Sequence, residues 1–265
     1  EIMEKLIALY NEGHFHEVVN GALELSKLHP NSVTVWNLLG AANQAFGKYE
    51  EAIRAFRRVI QLDSNYAPGF NNLGASLLGI ERFDDAEEAI DKALKLKSDY
   101  SEAYVNLAAI LQARGKFDEV IKVCNKVLQI TPNHPKAHNT LGNALQAQGK
   151  IGEAIEAYEK SLRSEPSASK FNNIGMLFQQ QGKIDDAIKA YKEAILLKPD
   201  SSEAHNNLGN ALQKRGDFDG ALDAYQKAVA FNSGSAEAYN AIGTVLKEKG
   251  RLIEATAAYK RAIFL

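Results

Sequence analysis

Apolar residues return along the chain in a pattern with a period of 34 residues. Within one period Phe70, Leu73, Gly74 and Leu77 follow one another at steps of three, one and three residues, so they fall on one stripe of an α-helix. A glycine then interrupts the pattern in all but one full period, where a turn needs left-handed backbone angles. The exception has Glu81 at this point. The first half of each period therefore predicts an amphipathic helix that ends in a tight turn.

The second half of each period predicts another helix. An alanine, an aromatic residue and a second alanine recur at i, i+4 and i+7, as at Ala221, Tyr225 and Ala228. Proline or serine closes the period, for example Pro132 and Pro199, and ends the helix where a missing backbone donor does least harm. Each period is thus a helix-turn-helix unit that buries its apolar face by stacking on the next unit.

Seven copies of one first-helix phrase follow each other at 34-residue steps, except for a step of 33 between Gly142 and Gly175. The copies begin at Trp36, Phe70, Tyr104, His138, Phe171, His205 and Tyr239. With its small residues at the helix contacts, the chain resembles the tetratricopeptide repeat (TPR) family. The resemblance implies an all-α fold, a right-handed TPR superhelix (α-solenoid), in which first helices line the concave surface.

The repeat register also predicts the domain boundaries. Leu6, Gly13 and Val18 fit a degenerate first copy, and no polar helix follows the last copy, so a capping helix, a longer parent protein or a neighbouring chain should cover that end. Self-association through it is one expectation. The one-residue deletion near Pro166 predicts a local change of superhelical rotation and a flexible joint. The predicted TPR units are 1–32 (degenerate), 33–66, 67–100, 101–134, 135–167 (one residue short), 168–201, 202–235 and 236–265 (without a capping helix).

Asparagine recurs on the first helices beside the packing aromatic residue, although it is a poor helix former. Glutamine continues the same face, as in Asn206, Asn210 and Gln213 at steps of four and three residues. An amide donates and accepts, so it can pair with a peptide backbone. We predict that a concave amide stripe binds a partner protein or an extended peptide; the alternative is bonding to the adjacent repeat. The candidate residues are Asn37, Asn71, Asn72, Asn106, Asn139, Asn143, Gln146, Asn172, Asn173, Gln179, Asn206, Asn207, Asn210, Gln213 and Asn240, with Gln44 and Gln112 extending the stripe.

The asparagine directly before the Leu or Ile of the phrase is similar to the asparagine ladder in the TPR superhelix of O-linked N-acetylglucosamine transferases. That resemblance implies a grip on a substrate backbone, although Leu38, Thr140 and Ala241 interrupt the ladder. The array also resembles TPR segments attached to bacterial transferases. The chain is therefore predicted to be a protein-interaction scaffold, or alternatively the substrate-recruiting arm of a larger glycosyl-, sulfo- or methyltransferase.

Other chemistry has little support in the sequence. A carboxylate clamp would need several basic residues on the first helices, and Lys136 is the one clear match. His138 and His205 replace packing aromatic residues, while His134 with His138 is a weak metal pair. Cys124 takes a packing position and is predicted to be inert core. We predict no enzyme, no catalytic residue, no metal and no cofactor.

Composition narrows the partners. A net charge of -2 and a pI near 6.4 argue against a nucleic-acid binder, which needs clustered Lys and Arg. No apolar run approaches the ~18 residues of a membrane helix, so no membrane partner is predicted. The single cysteine favours a reducing compartment, hence a cytoplasmic protein, although a disulfide-free exported protein would look the same.

Overall fold

The computed structural model describes residues 2–265, which form sixteen α-helices and no strand, as the all-α prediction requires. Glu1, the first residue of the predicted degenerate repeat, lies outside the described residues. The helices are α1 Ile2–Asn11, α2 Phe15–Leu28, α3 Val33–Ala45, α4 Tyr49–Leu62, α5 Ala67–Gly79, α6 Phe83–Leu96, α7 Ser101–Ala113, α8 Phe117–Ile130, α9 Pro135–Ala147, α10 Ile151–Ser164, α11 Ala168–Gln180, α12 Ile184–Leu197, α13 Ser202–Arg215, α14 Phe218–Phe231, α15 Ala236–Glu248 and α16 Leu252–Ile263.

The helices group into two compact units, Glu1–Gln148 and Gly149–Leu265. Within each unit the two helices of a repeat pack as a hairpin, and the second helix also packs on the first helix of the next repeat. The first helices of successive repeats also contact each other. For example, α3 contacts α5, and α11 contacts α13. Each repeat therefore packs on its neighbours along the chain as well as within its own hairpin.

The turns between paired helices have the predicted left-handed backbone. Glycine adopts positive φ at Gly47, Gly115, Gly149, Gly182, Gly216 and Gly250. Glu81 stands at the corresponding turn and has φ of 59°, the one non-glycine residue with positive φ among residues 2–265. A side chain at this φ is strained by the contact of Cβ with the backbone. The turn at Glu81, where the glycine of the other repeats is missing, is therefore strained.

Small residues allow the paired helices to approach closely, as predicted. A Cβ built on Gly209 would lie 2.6 Å from the ring of Tyr225, which is fully buried. Gly175 meets the ring of Tyr191 at 2.5 Å in the same way. The glycines therefore provide the space that the tyrosine rings fill.

In several repeats the residue that opens the first-helix phrase also fixes the loop before it. Trp36 Nε1 donates to the carbonyl of Pro30 at 2.9 Å, six residues earlier. His138 Nε2 lies 2.8 Å from the carbonyl of Pro132, and His205 Nε2 lies 2.9 Å from that of Pro199. Both histidines are buried. The predicted structural role of these histidines is confirmed.

The one-residue deletion shortens a loop. Three residues separate α10 from α11, whereas four separate α8 from α9 and α12 from α13. Lys170, near the start of α11, is buried, and its Nζ donates to the carbonyl of Glu165 at 3.1 Å and to its carboxylate at 3.2 Å. The ammonium thereby caps the end of α10. This loop lies inside the second unit.

Two further features bear on the predicted properties. Cys124 is buried, and burial raises the pKa of its thiol to about 12, as expected of an inert core residue. No helix within residues 2–265 is both long enough and apolar enough to cross a membrane.

Candidate functional site

Asparagine side chains link successive first helices in the first unit. Asn106 Nδ2 donates to Asn71 Oδ1 at 2.8 Å, and Asn71 Nδ2 donates to Asn72 Oδ1 at 3.3 Å. Asn72 Nδ2 then donates to Asn37 Oδ1 at 3.3 Å. The amides therefore form a relay from α7 through α5 to α3.

A similar link holds repeats of the second unit. Asn172 Oδ1 accepts from Asn207 Nδ2 at 3.0 Å, while Asn172 Nδ2 donates to Glu203 Oε1 at 2.9 Å. Asn206 Nδ2 donates to Glu237 Oε1 at 3.1 Å in the following repeat. These carboxylates lie in the first turn of their helices, where the helix dipole favours negative charge.

Two residues predicted to line the groove, Asn71 and Asn172, are buried between repeats instead. Asn71 and Asn172 are each 5% exposed, and both ends of each amide are bonded to asparagine or glutamate. They occupy the first amide position of the phrase, which faces the neighbouring repeat. We assign both to the packing of repeats, as the alternative interpretation of the sequence anticipated, although Asn71 also lines a hollow on the first unit.

A hollow of about 490 Å³ lies over α3, α5, α7 and the start of α9 in the first unit. Its amides are Gln44, Asn71, Asn72 and Asn106, and its charged side chains are Glu102 and Lys136. Asn106 uses Nδ2 for the relay, which leaves Oδ1 as its acceptor on this surface. This first-unit hollow therefore combines donors and acceptors with charge of both signs.

The second unit carries two adjoining hollows of about 540 and 230 Å³, which we call the second-unit groove. Gln179 and Lys214 line both. The remaining lining residues are Met176, Gln180, Tyr191, Asn207, Asn210, Gln213, Phe218 and Glu248. The structure thus brings four of the predicted amides together here, namely Gln179, Asn207, Asn210 and Gln213.

Buried tyrosine hydroxyls orient these amides. The Tyr225 hydroxyl lies 2.6 Å from Asn210 Oδ1 and 2.9 Å from Gln213 Oε1. The Tyr191 hydroxyl donates to Gln179 Oε1 at 3.1 Å. A hydroxyl has one proton, so Tyr225 donates to one oxygen at a time. An amide held by its oxygen presents its NH₂ group to the groove.

The tyrosines remain donors at neutral pH. Burial, with a smaller contribution from Glu203, raises the pKa of Tyr191 to about 12. Burial, followed by the nearby Glu237, raises the pKa of Tyr225 still further. Both causes disfavour the phenolate. The hydroxyls therefore keep the proton that orients the amides.

The other candidates lie apart from these two surfaces. Asn139, Asn143 and Gln146 are half-buried on α9. Asn173 is half-buried within hydrogen-bonding reach of the Tyr158 hydroxyl, and Asn240 is exposed on α15. Asn206 Oδ1 is buried without a hydrogen-bond partner in the part of the chain that the structure describes.

Several groove residues escaped the sequence analysis. Lys214 follows Gln213 directly, and Phe218 and Glu248 belong to α14 and α15, so no single-helix pattern joins them. The tyrosines were recognised only as core residues, because their ring positions are periodic and their hydroxyl contacts are not. Across residues 2–265, no cluster of three or more His, Cys, Asp or Glu side chains could hold a metal ion.

Comparison with known proteins agrees with the helix-turn-helix architecture. Family models of the tetratricopeptide repeat match residues 33–66, 67–100, 99–164, 172–236 and 208–265, which together span most of the chain. No curated protein matches the chain in sequence.

Solved structures share the fold. MamA is 29% identical, with a TM-score of 0.57, and the match covers 59% of this chain and 92% of MamA. YrrB, described as a TPR protein with an unusual peptide-binding site, is 22% identical with a TM-score of 0.60, covering 67% of this chain and 92% of YrrB. PilF of Pseudomonas aeruginosa is 17% identical with a TM-score of 0.64, covering 72% of this chain and 88% of PilF. The successive repeat matches and the helical hairpins together show that this chain belongs to the tetratricopeptide repeat family.

Proposed function

We propose that this chain is a protein-interaction scaffold whose second-unit groove holds an extended segment of a partner protein. The observation that carries the proposal is the tyrosine-held set of amides, in which Tyr191 holds Gln179 and Tyr225 holds either Asn210 or Gln213. Their NH₂ groups donate to backbone carbonyls of the bound segment. The acceptors of the groove, such as Glu248 at its edge, meet backbone N–H groups.

The energetics favour broad specificity. Each amide bond to a peptide contributes on the order of 0.5–1.5 kcal/mol, so several are needed for useful affinity. Such bonds form with the peptide backbone, which all extended peptides share. Lys214, which lines both hollows, adds a preference for an acidic side chain. The partner is therefore defined by an extended backbone and local negative charge.

The family relationship supports the scaffold part of this proposal. YrrB is described as having a peptide-binding site, but at 22% identity it supports the fold alone. The peptide part therefore rests on the groove chemistry. The net charge of -2 favours a protein partner over a nucleic acid.

Selection from a random phage-displayed peptide library against the full chain tests the proposal. Selected peptides should be acidic, and the Asn210→Ala, Gln213→Ala double variant should bind them about tenfold more weakly, because two amide bonds are lost. Asn125→Ala is the matched control, since Asn125 is an exposed amide on the second helix α8. It should leave peptide affinity unchanged.

The proposal fails if the double variant binds the selected peptides as tightly as the wild-type chain. It also fails if Asn125→Ala weakens binding as much as the double variant does. Thermal unfolding of each variant, followed by circular dichroism, separates a change in affinity from a change in stability.

A further inference from the structure

A further cavity lies in the first unit, apart from the first-unit hollow. A cleft of about 600 Å³ opens between α2 and α4, with α3 as its floor, and we call it the α2–α4 cleft. Val19, Leu23, Trp36 and Leu39 supply its apolar lining. On α3, Trp36, Leu39 and Asn43 form one helical stripe, whereas Asn37 and Gln44 belong to another face. The cleft therefore opens on a different face of α3 from the first-unit hollow.

The corresponding cleft one repeat later is much smaller. The α4–α6 cleft is lined by residues 34 positions further on, such as Phe70 and Leu73, and measures about 140 Å³. Ile60 lines that cleft, whereas its counterpart Ser26 is buried and does not line the α2–α4 cleft. The Ser26 hydroxyl instead donates to the carbonyl of Leu23 at 2.7 Å. Isoleucine thus lines the smaller cleft at the position where serine does not reach the larger one.

The wall of the α2–α4 cleft is apolar where other repeats are polar. Leu23 is 44% exposed. The counterparts of Leu23 in the later second helices are all polar or charged: Arg57, Asp91, Asn125, Glu159, Lys192, Gln226 and Lys260. An exposed leucine beside an open apolar cavity indicates a surface suited to an apolar group.

The rim of the cleft is positively charged. Lys48, Arg54 and Arg58 line it together with one carboxylate, Glu51, which pairs with Arg54 Nη2 at 3.1 Å, so the rim keeps an excess of two positive charges. Arg58 is positioned by hydrogen bonds from Nη2 to Asn31 Oδ1 at 3.1 Å and to the carbonyl of Pro30 at 3.4 Å. A guanidinium has five N–H donors, so others remain for a ligand.

The α4–α6 cleft has a balanced rim by comparison. Its cations, Arg57 and Lys92, face the two carboxylates Asp85 and Glu88. The excess of positive charge is therefore a property of the larger cleft. An apolar cavity with a cationic rim is complementary to a molecule with an apolar body and an anionic end.

We propose that the α2–α4 cleft binds a small anionic amphiphile, a carboxylate that carries an alkyl or aryl body. The body packs on Leu23 and Trp36, and the carboxylate pairs with Arg54 and Arg58 at the rim. The volume of about 600 Å³ falls within the roughly 300–1,000 Å³ typical of small-molecule sites. Asn43, whose Nδ2 donates to the carbonyl of Leu39 at 2.9 Å, adds a polar contact in the cleft wall.

Trp36 is the one tryptophan of the chain, so its fluorescence reports occupancy of the cleft directly. Titration of the full chain with sodium decanoate should give a saturable change in that fluorescence. Decyltrimethylammonium has the same alkyl chain with the opposite charge, and it should bind at least about tenfold more weakly.

Three variants locate the site. Ser26→Ile introduces the residue of the next repeat and should abolish the response, and Leu23→Gln, which introduces the residue found at Gln226, should weaken binding. Arg54→Gln should weaken decanoate binding about fivefold, because a charge-assisted contact is lost. Lys92→Gln changes the α4–α6 cleft and is the matched control. It should leave the decanoate affinity unchanged.

The proposal is overturned if decyltrimethylammonium binds as tightly as decanoate. It is also overturned if Ser26→Ile and Leu23→Gln, with unchanged urea unfolding, retain the wild-type response. A fluorescence response to an acidic, leucine-containing hexapeptide but none to decanoate would assign the cleft to a partner protein instead. If Lys92→Gln lowers the decanoate affinity as much as Arg54→Gln does, decanoate binds through non-specific attraction to positive charge and the proposal is overturned.

Discussion

Asn207 donates to Asn172 of the preceding repeat, with 3.0 Å between Nδ2 and Oδ1. Asn172 is buried, and its own amide group donates to Glu203. The pair therefore joins α11 to α13. Its side chains contribute to stability and also lie close to the groove. Asn207 thus both holds two repeats together and lines the groove, whereas Asn172 serves only the packing of repeats.

Replacement of Asn172 by alanine should lower the free energy of unfolding by about 1–3 kcal/mol, because the partners of a buried amide lose their hydrogen bonds. A double-mutant cycle with Asn207→Ala should give a coupling energy of roughly 0.5–1.5 kcal/mol. Urea unfolding followed by circular dichroism provides both values. Additive losses would show that the two amides contribute independently.

Replacement of Gly209 by alanine should destabilise the second unit by about 1–3 kcal/mol, because the added methyl group overlaps the Tyr225 ring. Gly152→Ala is the matched control, since no atom lies within 4 Å of a Cβ at that helical position. The control should stabilise the chain by roughly 0.5–1 kcal/mol. Equal thermal unfolding curves for the two variants would contradict the close packing described above.

Replacement of Glu81 by glycine should stabilise the chain by about 0.5–1 kcal/mol, because glycine relieves the strain of a positive φ. Glu81→Ala keeps Cβ and should give no such gain. Equilibrium urea unfolding distinguishes the two. A gain that is the same for alanine and glycine would point to the lost charge instead of the backbone.

Stability should fall at alkaline pH. Burial raises the pKa of Tyr158 and Tyr191 from 10.0 to about 12, so folding disfavours both phenolates. Their contribution is present below pH 10, the ordinary value, and is lost as the pH rises through about 12. Urea unfolding at a series of pH values, with tyrosinate absorbance on the same samples, measures this. Tyr191→Phe should flatten the pH dependence, and an unchanged slope would contradict the assignment.

Much of the fold follows from local pattern. The Gly209–Tyr225 contact could be predicted because both residues recur with the repeat and because a hairpin brings recurring positions together. The left-handed turn at Glu81 was visible as the one missing glycine. Periodicity is sufficient here, since each repeat contacts mainly its neighbours.

The site could be predicted only in part. The sequence placed amides on one face of the first helices, but it does not show which part of that face the next repeat covers. Asn172 is buried against the next repeat, whereas Asn210 reaches the groove. Whether Tyr225 bonds an amide depends on the distance between α13 and α14, which no spacing within one helix reveals. The α2–α4 cleft likewise differs in size from the α4–α6 cleft, a difference that the repeat pattern does not predict.

The tyrosine contacts have a consequence for the kinetics of recognition. A long amide side chain on a surface normally samples several rotamers, and an incoming segment must wait for a suitable combination and then restrict it. The buried hydroxyls of Tyr191 and Tyr225 restrain Gln179 and Asn210 before any partner binds. The loss of rotamer freedom on association is thereby reduced, by roughly 0.5–1.5 kcal/mol for each restrained side chain. Under the proposed function, a partner segment meets a surface that is already arranged, and removal of the tyrosine hydroxyls should slow productive encounters while the groove keeps its shape.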